Sequence, residues 1–253
     1  MRYYVTADVH GFFSIMRAQL NKAGYFSDEE PHKLIICGDI MDRGSEAVKM
    51  QNFVLREMEK DQIILVRGNH EDLFCQLVGE DMGYPYSHHV HNGTYDTACQ
   101  LTGMDKYMAF ASPLQFAAKA MKTPFYEKII PATVDFFETK NYVFVHGWIP
   151  SIANRDGTFE HYENWREATE GEWASARWYN GMAAWATAPD HEKTVVCGHW
   201  DVCYGHNRFE HHGGLRSGNP DFSTFKAPGI IALDACTALS KKINVEIIED
   251  DEV

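Results

Sequence analysis

The sequence predicts an α/β-type fold, and three features carry that expectation. Short apolar runs alternate with amphipathic segments from Tyr3 to Val78. The connections between them are short, which favours parallel strand pairing with right-handed crossovers. Apolar residues make up 45% of a 253-residue chain, enough to bury a sizeable core.

The elements follow in order. Tyr3 to Thr6 is short and rich in β-formers. Phe12, Phe13, Ile15, Met16, Leu20 and Ala23 repeat at helical spacing, and Gly24 can stop that helix. Leu34 to Cys37 reads as a buried strand, and Ala47, Met50, Phe53, Val54 and Met58 mark an amphipathic helix. Ile63 to Val66 is the next strand. Glu71 to Val78 is a short helix with Leu73, Phe74 and Leu77 on its apolar side. Gly79 to Thr102 is rich in Gly, His, Tyr and Asn without clear periodicity, so a long loop or helical insertion that caps a site is expected. Asp105 to Phe137 reads mainly as helix, broken at Pro113, Pro124 and Pro131. Strands are expected at Tyr142–Val145, Thr194–Cys197, Ile230–Leu233 and Ile243–Ile248. An aromatic, charged segment with Trp148, Trp165, Trp173, Trp178 and Trp185 lies between the first two. With no internal repeat or low-complexity linker, the expectation is a single domain over 1–253. It carries insertions at about 79–137 and 148–190 and a loop at about 205–228.

Composition excludes some functions. The net charge of −13 argues against a general nucleic-acid binder, which needs a basic face. Glu249 to Glu252 form an acidic tail expected to be solvated. The six cysteines form no Cys-x-x-Cys pair, which disfavours a zinc ribbon or thioredoxin-type site. Cys37 and Cys197 sit in apolar runs as reduced, buried thiols would. The N-terminus lacks a long apolar stretch, and no segment is long enough to span a membrane; a cytoplasmic setting is expected.

Five segments carry the chemistry: Asp8-Val9-His10-Gly11, Gly38-Asp39-Ile40-Met41-Asp42-Arg43-Gly44, Arg67-Gly68-Asn69-His70-Glu71, His146-Gly147 and Gly198-His199. Asp8, Asp39, Asn69, His146 and His199 each fall just after an apolar run. They should therefore converge at the carboxyl ends of strands, where α/β sheets gather ligands. Carboxylate, imidazole and amide oxygen together suit Mn²⁺, Fe or Zn²⁺ better than Ca²⁺. A carboxylate can bridge two such ions, which then lower the pKa of a water and clamp the oxygens of an in-line displacement.

This ordered set resembles the calcineurin-like metallophosphoesterases, and within them the phosphoprotein phosphatase branch. That branch includes bacterial and phage Ser/Thr phosphatases and symmetrical dinucleoside tetraphosphatases. The motifs span Asp8 to His199. The resemblance implies an α+β fold, a four-layer αββα sandwich of two mixed sheets flanked by helices. It implies that Asp8 and His10 bind one metal ion, Asp39 bridges, and Asn69, His146 and His199 bind a second. It makes His70 the general acid, oriented by Asp42, and gives the phosphoryl oxygens to Arg43 and Asn69. A further phosphate-binding Arg is expected between the fourth and fifth motifs: Arg177 first, Arg166 second. Trp148 and Trp200 follow the last two motifs where the eukaryotic enzymes carry other residues, and His91-Asn92-Gly93-Thr94 resembles a loop of phage and bacterial members.

The function implied is hydrolysis of phosphate monoesters, with phosphoserine and phosphothreonine of proteins as the first substrate class. Dinucleoside polyphosphate hydrolysis is the alternative, followed by phosphodiester hydrolysis and by an inactive scaffold for phosphorylated partners. A scaffold has no chemical need for His70. Arg67 and Glu71 read as structural, pairing with each other or with sheet termini. His88, His89 and His91 suggest a third metal, against the commoner reading of exposed loop histidines; His206, His211 and His212 fall under the same two readings. The tryptophans read as packing, or else as a face for a nucleobase.

Overall fold

A computed structural model describes residues 1–188 and 192–252. The first half runs β1 (Arg2–Thr6), α1 (Phe13–Ala23), β2 (His32–Cys37), α2 (Ala47–Glu59), β3 (Ile63–Val66) and α3 (Asn69–Val78). Short helices follow: α4 (Ser87–Asn92), α5 (Thr94–Thr102), α6 (Lys106–Ala111) and α7 (Pro113–Ala120). The second half holds β4 (Phe137–Glu138), β5 (Tyr142–Phe144), the hairpin of β6 (Ser151–Ala153) and β7 (Phe159–His161), α8 (Glu170–Ala176), α9 (Gly181–Thr187) and β8 (Thr194–Cys197). It closes with α10 (Cys203–Phe209), β9 (Phe225–Ala227), β10 (Ile230–Ala232), α11 (Thr237–Ser240) and β11 (Glu246–Glu249).

Two mixed sheets result. One has the order β11-β1-β2-β3, the other β4-β5-β8-β10-β9. In the first, β1, β2 and β3 are parallel and β11 is an antiparallel edge; in the second, β5, β8 and β10 are parallel between the antiparallel edges β4 and β9. Period-two alternation builds the layers. From β1 and β2, Tyr4, Leu34 and Ile36 pack under α1, α2 and α3, while Tyr3, Val5, Ile35 and Cys37 face the other sheet. From β5 and β8, Val143, Val195 and Cys197 pack under α8 and α9, while Phe144 and Val196 meet the first sheet. The architecture is therefore αββα.

The insertions are more ordered than their composition suggests. Gly79–Thr102, which lacks clear periodicity, contains α4 and α5. Gly93, at φ 87°, ends one and begins the other. Pro113 begins α7, where its missing N–H is not needed. Phe137 is in a strand rather than closing the helical stretch, because its backbone pairs with Phe144. The stretch expected as a loop over 205–228 starts inside α10 and ends in β9. The insertion expected over about 148–190 reaches residues outside the described ones. The acidic tail is not simply solvated: Glu249 pairs with Arg2, and Asp250 accepts hydrogen bonds from Thr139 and Asn141. Trp148, Trp165 and Trp173 are core residues, as the packing reading expects. Among the described residues no helix is long and apolar enough to cross a membrane.

Helix α3, which carries two of the predicted site residues, is anchored by Phe74. That ring is fully buried and meets Phe125 edge-to-face, with centroids 5.1 Å apart. Phe74→Ala should lower the free energy of unfolding by about 3–5 kcal/mol, read from urea denaturation. A loss under about 1 kcal/mol would show that α3 is held by other contacts.

Candidate metal centre

The parallel strands deliver the predicted residues to one place. Asp8 and His10 follow β1, Asp39 to Arg43 follow β2, and Asn69 and His70 open α3 just after β3. His146 follows β5 and His199 follows β8. Asp39 lies at the centre. Its Oδ1 is 3.3 Å from His146 Nε2, and its Oδ2 is 3.7 Å from His10 Nε2 and 3.6 Å from His70 Nε2. His199 belongs to the same group: it forms a possible ligand triple with Asp39 and His146, and its ring meets that of His146 at 5.0 Å. Asn69 Oδ1 is 2.8 Å from His146 Nε2. Asp8 Oδ2 accepts the His199 N–H at 2.8 Å.

Three observations fit this donor set to metal ions. His10 Nδ1–H donates to the Met41 carbonyl and His146 Nδ1–H to the Cys37 carbonyl, both at 2.9 Å. That fixes the tautomers and turns both Nε2 lone pairs toward Asp39, as for imidazoles that ligate a metal. Asp8 Oδ1 is buried without a hydrogen-bond partner. Burial, and then the charges of Asp234 and Asp39, push the Asp8 carboxyl well above the usual carboxylate range. Cations would offset that cost. Burial acts against the Asp39 charge as well, yet the surrounding imidazoles of His146, His70 and His10 hold its carboxyl low. Burial, then the His146 charge, lowers His199 to about 3.

The backbone is strained where these side chains converge. Asp8, His10, Asp39, Asp42, Arg43 and His199 all have positive φ, from 47° to 76°. Such conformations cost about 1–3 kcal/mol each and persist only where the surroundings impose them. Gly38, at φ 77°, has no room for a Cβ because the His146 ring occupies that space. Glu71 secures the turns. Its carboxylate accepts N–H bonds from Gly68, Asp39 and Ile40 at 2.8–3.0 Å. It thus ties the segment after β2 to the segment after β3. It pairs with backbone rather than with Arg67, whose partner is Asp72.

A second cluster adjoins the first. His70 Nδ1 lies 2.7 Å from Asp42 Oδ2, which also accepts the Thr94 hydroxyl at 2.6 Å. The Asp42 N–H donates to Thr97 Oγ1. Burial opposes a proton on His70, but Asp39 and Asp42 outweigh it and raise its pKa. Arg43 reaches both imidazoles, with Nη1 2.5 Å from His10 Nε2 and Nη2 3.1 Å from His70 Nε2.

The other predicted residues are placed differently. Arg177 is buried beside this region, and its Nε and Nη1 donate to Asp72 and Asp135 at 2.6 and 2.7 Å. A phosphate contact from Arg177 would require those bonds to be exchanged. Arg166 pairs with Glu138 and lies over the Trp165 ring. His206 bonds Glu210 and the Ser223 carbonyl through its two nitrogens. Asp234 and Thr97 escape the motif reading, and Thr94 enters it only within His91-Asn92-Gly93-Thr94, with no role given. Asp234 follows β10 and is buried against Asp8; burial pushes its carboxyl up to about 7. The signal was present, an apolar run followed by Asp, as at Asp8 and Asp39. Thr94 and Thr97 support Asp42 from the insertion, where no periodicity marks them.

A profile of the family described as calcineurin-like phosphoesterase matches residues 1–222. An asymmetrical bis(5'-nucleosyl)-tetraphosphatase, PrpE of Bacillus subtilis (strain 168), is 29% identical over 134 residues, 50% of this chain and 52% of that protein. A symmetrical bis(5'-nucleosyl)-tetraphosphatase of Neisseria meningitidis serogroup A is 34% identical over 85 residues, 34% of this chain and 29% of that protein. The chain thus spans about half the length of the first relative and less of the second. A solved protein serine/threonine phosphatase of Saccharomyces cerevisiae, with similarity to human phosphatase PP5, superposes with a TM-score of 0.50 at 15% identity. That match covers 100% of this chain and 81% of that one.

Proposed function

Because the chain belongs to the calcineurin-like phosphoesterases, which are hydrolases with dinuclear divalent metal sites, we propose that it hydrolyses phosphate monoesters, with Asp39 bridging two ions. On this reading one domain over 1–253 carries the activity. Asp8, His10 and Asp39 would hold one ion, and Asn69, His146 and His199 would hold the other. Mn, Fe or Zn suits the mixed donors. Such ions would supply hydroxide near neutral pH and offset charge on the phosphoryl oxygens. The carrying observation is the approach of three imidazole Nε2 atoms to the two oxygens of one buried carboxylate, at 3.3–3.7 Å.

The side chains divide the rest of the work. Arg43 offers a planar fork of donors to the phosphoryl oxygens, and Asn69 adds an amide. An O–P bond forms from water, whose released proton passes to solvent, as the ester P–O bond breaks. His70, held by Asp42, gives its Nε2 proton to the departing alkoxide. Phosphoserine and phosphothreonine of proteins are the first substrate class. A specific observation favours a second class, dinucleoside polyphosphates. Trp178 meets His199 edge-on at 5.7 Å, and Trp178 and Trp200 are 49% and 42% exposed, so both rings can stack on a base. The names of the two relatives point the same way. A cytoplasmic setting is supported by six unpaired cysteines.

The purified protein should hydrolyse p-nitrophenyl phosphate with Mn²⁺ and stop with a chelator. Inactivity across a panel of divalent ions would favour the scaffold reading. Comparing kcat/KM for phosphopeptides and diadenosine tetraphosphate selects the substrate. If the dinucleotide wins, Trp178→Ala should weaken it by about 1–3 kcal/mol and leave p-nitrophenyl phosphate unaffected.

A further inference from the structure

A separate group of ligand-type side chains lies in the insertion, formed by Asp81, His88 and His89. Asp81 follows α3; His88 and His89 open α4. One ligand atom from each lies within 4.8 Å of the other two. His89 is fully buried, and neither of its ring nitrogens has a hydrogen-bond partner. Asp81 Oδ2 and His88 Nε2 are also buried and unpartnered. A neutral imidazole carries one N–H and one lone pair, so His89 conceals both without compensation. Leaving buried polar groups unpaired is costly, and one ion can take Asp81 Oδ2, His88 Nε2 and one nitrogen of His89 together.

The spacing indicates which partner. Asp81 Oδ2 is 3.5 Å from His89 Nε2, too long for a hydrogen bond. Two ligand atoms each about 2.1 Å from a tetrahedral ion lie about 3.4 Å apart. The backbone holds the acid in place: the Asp81 N–H donates to the Gln76 carbonyl and the Gly83 N–H to the Leu77 carbonyl. Gly83, at φ 83°, has no room for a Cβ against the Pro113 carbonyl.

We propose that Asp81, His88 and His89 bind a third metal ion, a borderline divalent cation with Zn²⁺ foremost. Two imidazoles and one carboxylate are a donor set for such an ion, with solvent completing its coordination. The site would pin the start of α4 to the end of α3. Gly93 and Thr94 follow α4, and Thr94 donates to Asp42, so the ion would also stiffen the support of His70.

Metal content of the full chain tests this. After loading with Zn²⁺ and gel filtration, the wild type should carry one equivalent more than His88→Ala or Asp81→Asn by plasma mass spectrometry. An Asp39→Asn protein should keep the extra equivalent, which separates this site from the proposed dinuclear centre. Co²⁺ loaded into Asp39→Asn should give visible bands that His88→Ala abolishes, and Zn²⁺ affinity in that background should fall at least about 10-fold. Circular dichroism confirms folding, and His88→Gln replaces any variant that fails. Equal metal content in wild type and folded variants, or no ion in Asp39→Asn, overturns the proposal.

Discussion

Asp39→Asn is expected to reduce bound metal from about two ions per chain to fewer than one, and to lower phosphoesterase turnover by at least about 10³-fold. These counts exclude any equivalent held by Asp81, His88 and His89. The carboxylate presents both oxygens to imidazoles, Oδ1 toward His146 and Oδ2 toward His10 and His70. An amide keeps the shape but loses the charge and one acceptor. The His70 backbone N–H, which donates to Asp39 Oδ1 at 3.1 Å, keeps a partner in the variant. The fold should therefore survive while the metals leave. Without them water keeps a pKa near its bulk value of about 15.7 rather than about 7, so little hydroxide remains at neutral pH. A variant that retains two such ions and turnover within tenfold of wild type would remove Asp39 from the bridging position.

His70→Asn should retain both ions and lower kcat by about 10²–10⁴-fold, the usual contribution of a positioned acid. The loss should depend on the leaving group. An alkoxide from phosphoserine needs the proton, whereas p-nitrophenolate departs without one, so the alkyl ester should suffer more. His70 also lies within ligand distance of Asp39 and His10. If metal content falls together with turnover, and equally for both substrates, His70 is a ligand and not the acid. Asp42→Asn should move rates in the same direction by less, because Thr94 and the Nδ1–H of His70 can still bond the amide oxygen.

The sequence was most legible where backbone and chemistry agree. Ile63–Val66 and Thr194–Cys197 were found to the residue, because an apolar run between polar turns has one solution in a buried parallel strand. The convergence of Asp8, Asp39, Asn69, His146 and His199 followed from their common place after such strands. Asp234 escaped because Asp after a strand is also an ordinary turn residue, and no glycine or histidine beside it marks a crowded site. The insertion was opaque for another reason. Helices α4 and α5 are short and split at Gly93, so neither offers enough turns for a helical period to be seen. Arg177 stands out in the sequence only by its place between two motifs, and its partners Asp72 and Asp135 lie far away in sequence. No local pattern announces such pairs.

The division of the proposed ligands between two sheets also sets a timetable. A ribosome has made Asp8, His10, Asp39 and Asn69 once it reaches His70. His199 emerges about 130 residues later, roughly 6–26 s at about 5–20 residues per second. Even the first sheet waits for its edge strand β11. A nascent chain that has reached His70 carries four of the six proposed ligands, without the imidazoles of His146 and His199 from the second sheet. If those six residues hold the ions, selective metal capture is a late event of biosynthesis. The ions that the finished protein carries would reflect the metals available when the chain is released as well as the donors that hold them.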